Sequence, residues 1–181
     1  MGGRRMKDQA LAARCRGLRL IVTDVDGVLT DGTVLLLPEG GEAKAFHIRD
    51  GLAVVLARRA GLPTALLSGR TSEAVSRRAR ELGIETVRQG VADKGAAFAE
   101  LLASFGLAAH QAAYMGDDVN DLAAMTQAGL SAAPADAAFE VRAQAYMVTD
   151  ARGGHGCFRE FVEAILRARG EWDALVAASG A

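Results

Sequence analysis

Apolar positions in this chain come in short blocks separated by longer, mixed segments. Leu18-Arg19-Leu20-Ile21-Val22-Thr23 is an apolar, β-branched run of strand length. Thr64–Leu67, Ala112–Met115, Leu130–Ala132 and Tyr146–Val148 repeat the pattern, and Thr86–Arg88 is a weaker example. The segments between them have helical spacing and glycine stops. Asp50–Ala60 is closed by Gly61, with Pro63 just beyond, and Thr71–Leu82 ends at Gly83. A helix capped by Asp93 runs to Phe105 and stops at Gly106, and Asn120–Ala128 stops at Gly129. Gly156–Ala168 carries an apolar stripe of Phe158, Phe161, Val162 and Ile165, and Glu171–Ala178 predicts a last short helix. One segment breaks the alternation. Thr33–Leu37 and Glu42–His47 flank Pro38-Glu39-Gly40-Gly41, which predicts a β-hairpin. Met1–Arg16 predicts a loosely ordered lead-in with a short helix over Asp8–Arg14. The division that follows is a lead-in over 1–17, one domain over 18–170 and a tail over 171–181.

Repeated strand–helix units predict an α/β fold: a doubly wound, Rossmann-like parallel sheet with helices on both faces. In such sheets the binding crevice lies beyond the carboxyl ends of the strands. The residues there are strongly polar. Asp24 and Asp26 follow the first strand, Ser68-Gly69-Arg70 the second, Asp93-Lys94 opens the helix after the third, and Asp117, Asp118 and Asp121 follow the fourth. Carboxylates gathered at one edge repel one another unless a cation lies between them, and a hard cation such as Mg²⁺ prefers oxygen ligands. A hydroxyl, an ammonium and the amides of helix starts suit a phosphate. A free carboxylate beside the ion can attack phosphorus, so the set points to phosphoryl transfer through an aspartyl-phosphate. Each residue alone has a plainer use. Ser68 can cap a helix, Lys94 can be a solvated surface lysine, and Asp117-Asp118 can cap the next helix.

Composition narrows the class. The chain has 181 residues, half of them hydrophobic and 24% charged, with a net charge of −1, enough for one domain with a full core. The near-neutral charge and 5% aromatics argue against a nucleic-acid partner. No apolar run has membrane-span length, and the basic N-terminal segment has no apolar core of the secretory kind. Cys15 and Cys157 form no disulfide framework or zinc pattern, so a reducing cytoplasm is the expected location.

Asp24-x-Asp26-Gly27-x-Leu29-Thr30, then Ser68, then Lys94, then Gly116-Asp117-Asp118-x-x-Asp121 resembles the four-motif signature of the haloacid dehalogenase-like phosphohydrolases. The resemblance implies that Asp24 is the nucleophile, and that Asp26 protonates the leaving alcohol and then deprotonates water. Ser68 and Lys94 would hold phosphate oxygens. Mg²⁺ would be bound by Asp24, the backbone carbonyl of Asp26, and Asp117, with Asp118 and Asp121 orienting metal waters and Lys94. Most relatives carry an inserted cap domain, but neither the Thr30–Ser68 nor the Ser68–Lys94 interval holds one here.

Within that family the chain is similar to the capless, tetrameric phosphatases of 3-deoxy-D-manno-octulosonate 8-phosphate. The similarity lies in Asp24–Gly32, Lys44–Gly51, Ser68-Gly-Arg70 and the Gly153-Gly154 tail. It implies a homotetramer in which a neighbouring subunit closes each site, with the leucine-rich hairpin and the C-terminal tail as closing parts, and a small sugar-acid phosphate as substrate. His155 stands where those phosphatases usually have arginine. Gln89–Lys94, Gly116–Asp121 and Gly156–Glu163 lean toward the sister phosphatases of nonulosonate 9-phosphates (KDN or N-acetylneuraminate). Arg70 favours the octulosonate reading. Thr30, Gly69, Arg70, Arg78 and His155 are the expected substrate-binding positions, with Arg70 and Arg78 as carboxylate binders, directly or from a neighbour. Arg78 could equally belong to a solvated basic face with Arg77 and Arg80. A non-catalytic phosphate-binding module and a phosphoglucomutase-like transferase are the alternatives.

Overall fold

The computed structural model describes residues 2–179, with the side chains of 9–178. Its centre is a six-stranded, all-parallel sheet in the order β5-β4-β1-β6-β7-β8. The strands are β1 (Leu20–Thr23), β4 (Thr64–Leu67), β5 (Thr86–Arg88), β6 (Ala112–Met115), β7 (Leu130–Ala133) and β8 (Met147–Val148). A separate two-stranded hairpin is made by β2 (Leu35–Leu36) and β3 (Glu42–Ala43).

The strands separate the core by alternation. Ile21, Leu66, Ala113 and Met115 face one layer, and Leu20, Val22, Ala65, Leu67, Ala112 and Tyr114 face the other. Both faces are covered, so β1 is buried at every position and reads as one apolar run. The first layer is roofed by α1 (Gly2–Arg16), α2 (Ile48–Arg59), α3 (Glu73–Leu82), α7 (Cys157–Ala168) and α8 (Trp172–Ser179). The second is roofed by α4 (Lys94–Phe105), α5 (Leu122–Gln127) and α6 (Phe139–Gln144). The stripe expected on α7 is buried in full, at Phe158, Phe161, Val162 and Ile165. Arg159 and Arg167 lie over the Trp172 ring at 4.7 and 5.1 Å and tie α7 to α8.

β1 sits mid-sheet, paired with β4 on one side (Ile21 with Thr64) and β6 on the other (Ile21 with Ala113). Chain order therefore reverses at β1, and the crevice above its carboxyl end is the natural binding position. Only the hairpin and α2 lie between the ends of β1 and β4, and only α3 and β5 between β4 and α4, so no cap domain covers that crevice. Among the described residues, no helix is long and apolar enough to cross a membrane.

The differences from expectation are local. The first helix spans Gly2–Arg16, not Asp8–Arg14, and Cys15 at its end is fully buried. The segment expected as one helix from Asn120 divides into a 3₁₀ turn, Val119–Asp121, and α5, because the Asp121 carboxylate bends back onto the amides of Asp117 and Asp118. Helix α6 has no counterpart in the expectation. Its N-cap is Ala138, which offers no side-chain cap to read. The hairpin ladder is only two residues long, and His47 is the N-cap of α2, not a strand end.

Candidate active site

The loop leaving β1 is wound tightly. The amides of Val28, Leu29 and Thr30 all donate to the Val25 carbonyl, at 3.3, 2.9 and 3.1 Å. Asp24 at its start donates its amide to the Met115 carbonyl (2.9 Å), which ties the tips of β1 and β6 together. Gly27 has φ +87°, and a Cβ there would overlap the Asp117 carboxyl group, so only glycine lets the two loops close. The C-terminal segment braces the same loop. The Gly154 amide and the Cys157 thiol both donate to the Val28 carbonyl (2.9 and 3.2 Å), and Gly153 passes too close to the Gly27 carbonyl to carry a Cβ.

This packing brings the acidic residues together. One carboxylate oxygen from each of Asp24, Asp117 and Asp121 falls within 4.8 Å of the others. Lys94, buried at the start of α4, reaches Asp121 Oδ1 at 2.7 Å and Asp24 Oδ1 at 3.0 Å. Asp93 N-caps that helix, accepting from the Ala96 amide at 2.9 Å. Asp121 is fully committed. Its Oδ1 accepts from Lys94 and the Tyr114 hydroxyl (2.7 Å), and its Oδ2 from the Asp117 and Asp118 amides (3.1 and 3.3 Å). It therefore holds the lysine and the loop, which leaves Asp24 and Asp117 as the carboxylates able to meet a cation.

Charge confirms the need for one. Burial, then the Asp121 charge, raises the Asp24 carboxyl to about 6, although Lys94 opposes the shift. Burial, then Asp24 and Asp121, raises Asp117 to about 8. Burial opposes the charge on Lys94, but Asp24 and Asp121 outweigh it and hold its pKa above the usual value. Burial and Asp121 also push the Tyr114 hydroxyl upward, so it remains a donor. One ammonium does not balance three clustered carboxyls, those of Asp24 and Asp121 buried and that of Asp117 partly so, and an all-oxygen donor set fits a hard divalent ion such as Mg²⁺.

Around this cluster lies an open pocket of about 240 Å³, lined by Asp24, Asp26, Ser68, Gly69, Arg70, Lys94, Asp117 and Asp118, with Gly32 and Asn120. Residues from four strand ends meet there as expected. Ser68 is 1% exposed and accepts from the Arg70 amide at 3.3 Å. It does not cap α3, whose N-cap is Ser72. Asp118 does cap, accepting from the Val119 amide at 2.7 Å.

Three expected substrate-binding residues lie elsewhere within the single chain. Thr30 is buried, its hydroxyl donating to the Val25 carbonyl (3.4 Å) and accepting from the Gly32 amide (3.3 Å), so it shapes the loop. Arg78 pairs with Glu81 at 2.8 Å and lies over the Phe46 ring, lining a separate groove with Glu42, Lys44 and Arg77. His155 lines a different open groove with Arg49 and Arg159.

The hairpin supplies residues that strand-end reasoning missed. Lys44, whose side chain is wholly buried, ion-pairs with Asp26 and lies 3.2 Å from Glu42. Glu42 accepts from Arg70 at 2.7 Å, and Arg70 Nε is 3.9 Å from Asp26. Ser72 and Arg70, then Lys44, hold the Glu42 carboxyl down at about 2. The signal was the polar spacing Glu42-x-Lys44 in a hairpin that follows the Asp-x-Asp loop directly.

Known proteins resemble this chain in sequence and in fold. A family model described as haloacid dehalogenase-like hydrolase matches residues 39–129. The chain is 39% identical over 167 residues to a 3-deoxy-D-manno-octulosonate 8-phosphate phosphatase of Haemophilus influenzae, covering 92% of this chain and 93% of that one. Among solved structures, the Moraxella catarrhalis enzyme of the same name, in complex with magnesium ion, phosphate ion and KDO, superposes with a TM-score of 0.91 at 37% identity, covering 93% of this chain and 97% of the other. The cobalt-bound Haemophilus influenzae phosphatase gives 0.88 at 39% identity, covering 92% and 98%.

Proposed function

The chain belongs to the haloacid dehalogenase-like hydrolases, and from that premise we propose that it is a Mg²⁺-dependent phosphatase releasing phosphate from 3-deoxy-D-manno-octulosonate 8-phosphate. The observation that carries the reading is the meeting of Asp24, Ser68, Lys94 and Asp117 in one pocket at the carboxyl edge of the sheet. The named substrate of the relatives it resembles at 37–39% identity supplies the chemical class.

The chain's own residues then act in sequence. Lys94 and the Ser68 hydroxyl hold the phosphate oxygens, and the buried lysine offsets the repulsion between Asp24 and a dianionic phosphate. Asp24 attacks in line. Its oxygen–phosphorus bond forms as the bond to the sugar oxygen breaks, and Asp26 delivers a proton to that leaving oxygen. Asp26 then takes a proton from water as the water oxygen bonds to phosphorus, and Asp24 leaves as a free carboxylate with inorganic phosphate formed. Asp24, Asp117 and the backbone carbonyl of Asp26 would hold the Mg²⁺, which supplies charge neutralisation at the phosphoryl oxygens. Asp121 and Tyr114 keep Lys94 aimed, and Asp118 keeps the Asp117 loop in shape.

A site this open needs shielding from another source. Leu35 and Leu36 on the hairpin are 59% and 75% exposed, which supports a homotetramer whose neighbouring copies cover each site. Arg78 and His155 would reach a site only across such an interface. Two free, buried cysteines are consistent with a cytoplasmic enzyme.

The deciding experiment is phosphate release with Mg²⁺ from a panel of octulosonate 8-phosphate and nonulosonate 9-phosphates. The octulosonate ester is expected to give the highest kcat/KM, and Asp24→Asn to abolish turnover. Wild-type rates in that variant would overturn the mechanism, and preference for a nine-carbon ester would reassign the substrate.

A further inference from the structure

Asp26, Lys44, Glu42 and Arg70 form a closed ring of alternating charge at the mouth of the pocket. In the resting protein, before Asp26 carries a proton for the leaving oxygen, the ring is neutral, with two anions and two cations. It also divides the 240 Å³ pocket from an open groove of about 520 Å³ lined by Glu42, Lys44, Arg77 and Arg78. Arg70 is its only well-exposed member, 49% accessible, and its partner is the carboxylate of Glu42.

We propose that Glu42 is an internal carboxylate that trades places with the carboxylate of the sugar acid on Arg70. The idea rests on the function proposed above, because it needs a substrate bearing both a phosphate and a carboxylate. Charge decides for exchange over addition. A second carboxylate added to Arg70 would leave the ring net negative beside the clustered Asp24, Asp117 and Asp121, whereas replacement of Glu42 preserves neutrality. The arm bearing Glu42 can move, since its ladder is two residues long and stands outside the main sheet. The pair that must open is half in solvent on the Arg70 side and mostly buried on the Glu42 side, and the incoming carboxylate replaces the charge that leaves, so the exchange is near balance. The consequence falls on product. Hydrolysis removes the phosphate but leaves the carboxylate, and Glu42 then competes the free sugar acid off Arg70.

Calorimetric titration of the free octulosonic acid into the Mg²⁺-loaded protein tests this. Glu42→Gln is expected to tighten binding about threefold to fivefold, the weight of one exposed ion pair. Glu42→Asp, too short to reach Arg70, is expected to do the same. Arg70→Gln is expected to weaken binding and to cancel the gain in the double variant. Unchanged or weaker binding in both Glu42 variants, no detectable binding of the acid to any form, or a gain that persists without Arg70 would each overturn the exchange. Phosphate release from the ester panel is read separately. Its absence would sink the proposed function, while turnover without the calorimetric gain would sink only the role of Glu42.

Discussion

Removing the divalent ion should invert the pH dependence of stability that ion-paired carboxylates usually give. Asp24 and Asp117 have folded-state pKa values of about 6 and 8, both raised first by burial and then by neighbouring acids. A carboxyl raised on folding contributes stability below its unfolded pKa, near 4, and loses it as pH climbs through the folded value. Without metal, the protein should therefore lose stability from about pH 4 to about pH 8. The Asp24 shift alone, from 3.8 to about 6, corresponds to about 3 kcal/mol. For a chain of this size that is roughly 6–12 °C in Tm, and Asp117 adds in the same direction. Glu42, held down at about 2, acts with the opposite sign but only at acid pH, outside this range. The assay is thermal melting in chelator from pH 5 to 9, repeated with saturating Mg²⁺. Tm should fall with rising pH in chelator, and Mg²⁺ should stabilise most at high pH, where both carboxylates are ionised. Asp117→Asn should flatten the chelator slope. A Tm that is level or rising from pH 5 to 9 without metal would refute the reasoning.

Other outcomes follow from the same contacts. Gly27→Ala forces a Cβ into the Asp117 carboxyl at φ +87°, so kcat/KM should fall at least a hundredfold and Mg²⁺ affinity with it, measured by steady-state kinetics and metal titration. Tyr114→Phe leaves Asp121 Oδ1 with Lys94 alone, and denaturant melts should show a loss of about 1–2 kcal/mol with activity reduced but not abolished. Leu36→Lys places a charge on the exposed hairpin, and on the proposed homotetramer sedimentation should show dissociation to smaller species with reduced turnover, whereas an unchanged sedimentation profile would count against packing through the hairpin.

Strand runs, glycine stops and the strand-end rule made the sheet, the crevice and most of its lining legible in advance. Those signals are local: Leu20–Thr23 is apolar because both its faces are covered, and Gly83 and Gly106 stop their helices in left-handed conformation. Thr30 and Arg78 show the limit of the approach. Thr30 follows the catalytic loop in sequence, yet its hydroxyl turns inward onto the Val25 carbonyl. Arg70 and Arg78 share one expected task as carboxylate binders, but Arg70 precedes α3 and points to Glu42, whereas Arg78 lies within the helix and packs on Phe46. Spacing places residues on a face only where both belong to the same helix.

Asp117 and Asp121 are chemically identical and four positions apart, yet the surrounding donors give them opposite tasks. Asp121 receives a lysine, a phenol and two amides, so both its oxygens are spent and its charge is bound to the scaffold. Asp117 is pressed against Gly27, facing Asp24, with its proton affinity raised by burial and then by the acids on either side. The donors that divide them come from β6 and α4 as well as their own loop, and Lys94 lies 27 residues from the aspartate it holds. The ring at the hairpin has the same character, joining Lys44 to Asp26 across 18 residues and Arg70 to Glu42 across 28. Motif order can say that these carboxylates share a site. Which of them binds a cation, which aims a lysine and which occupies an arginine depends on the donors that tertiary packing delivers to each oxygen.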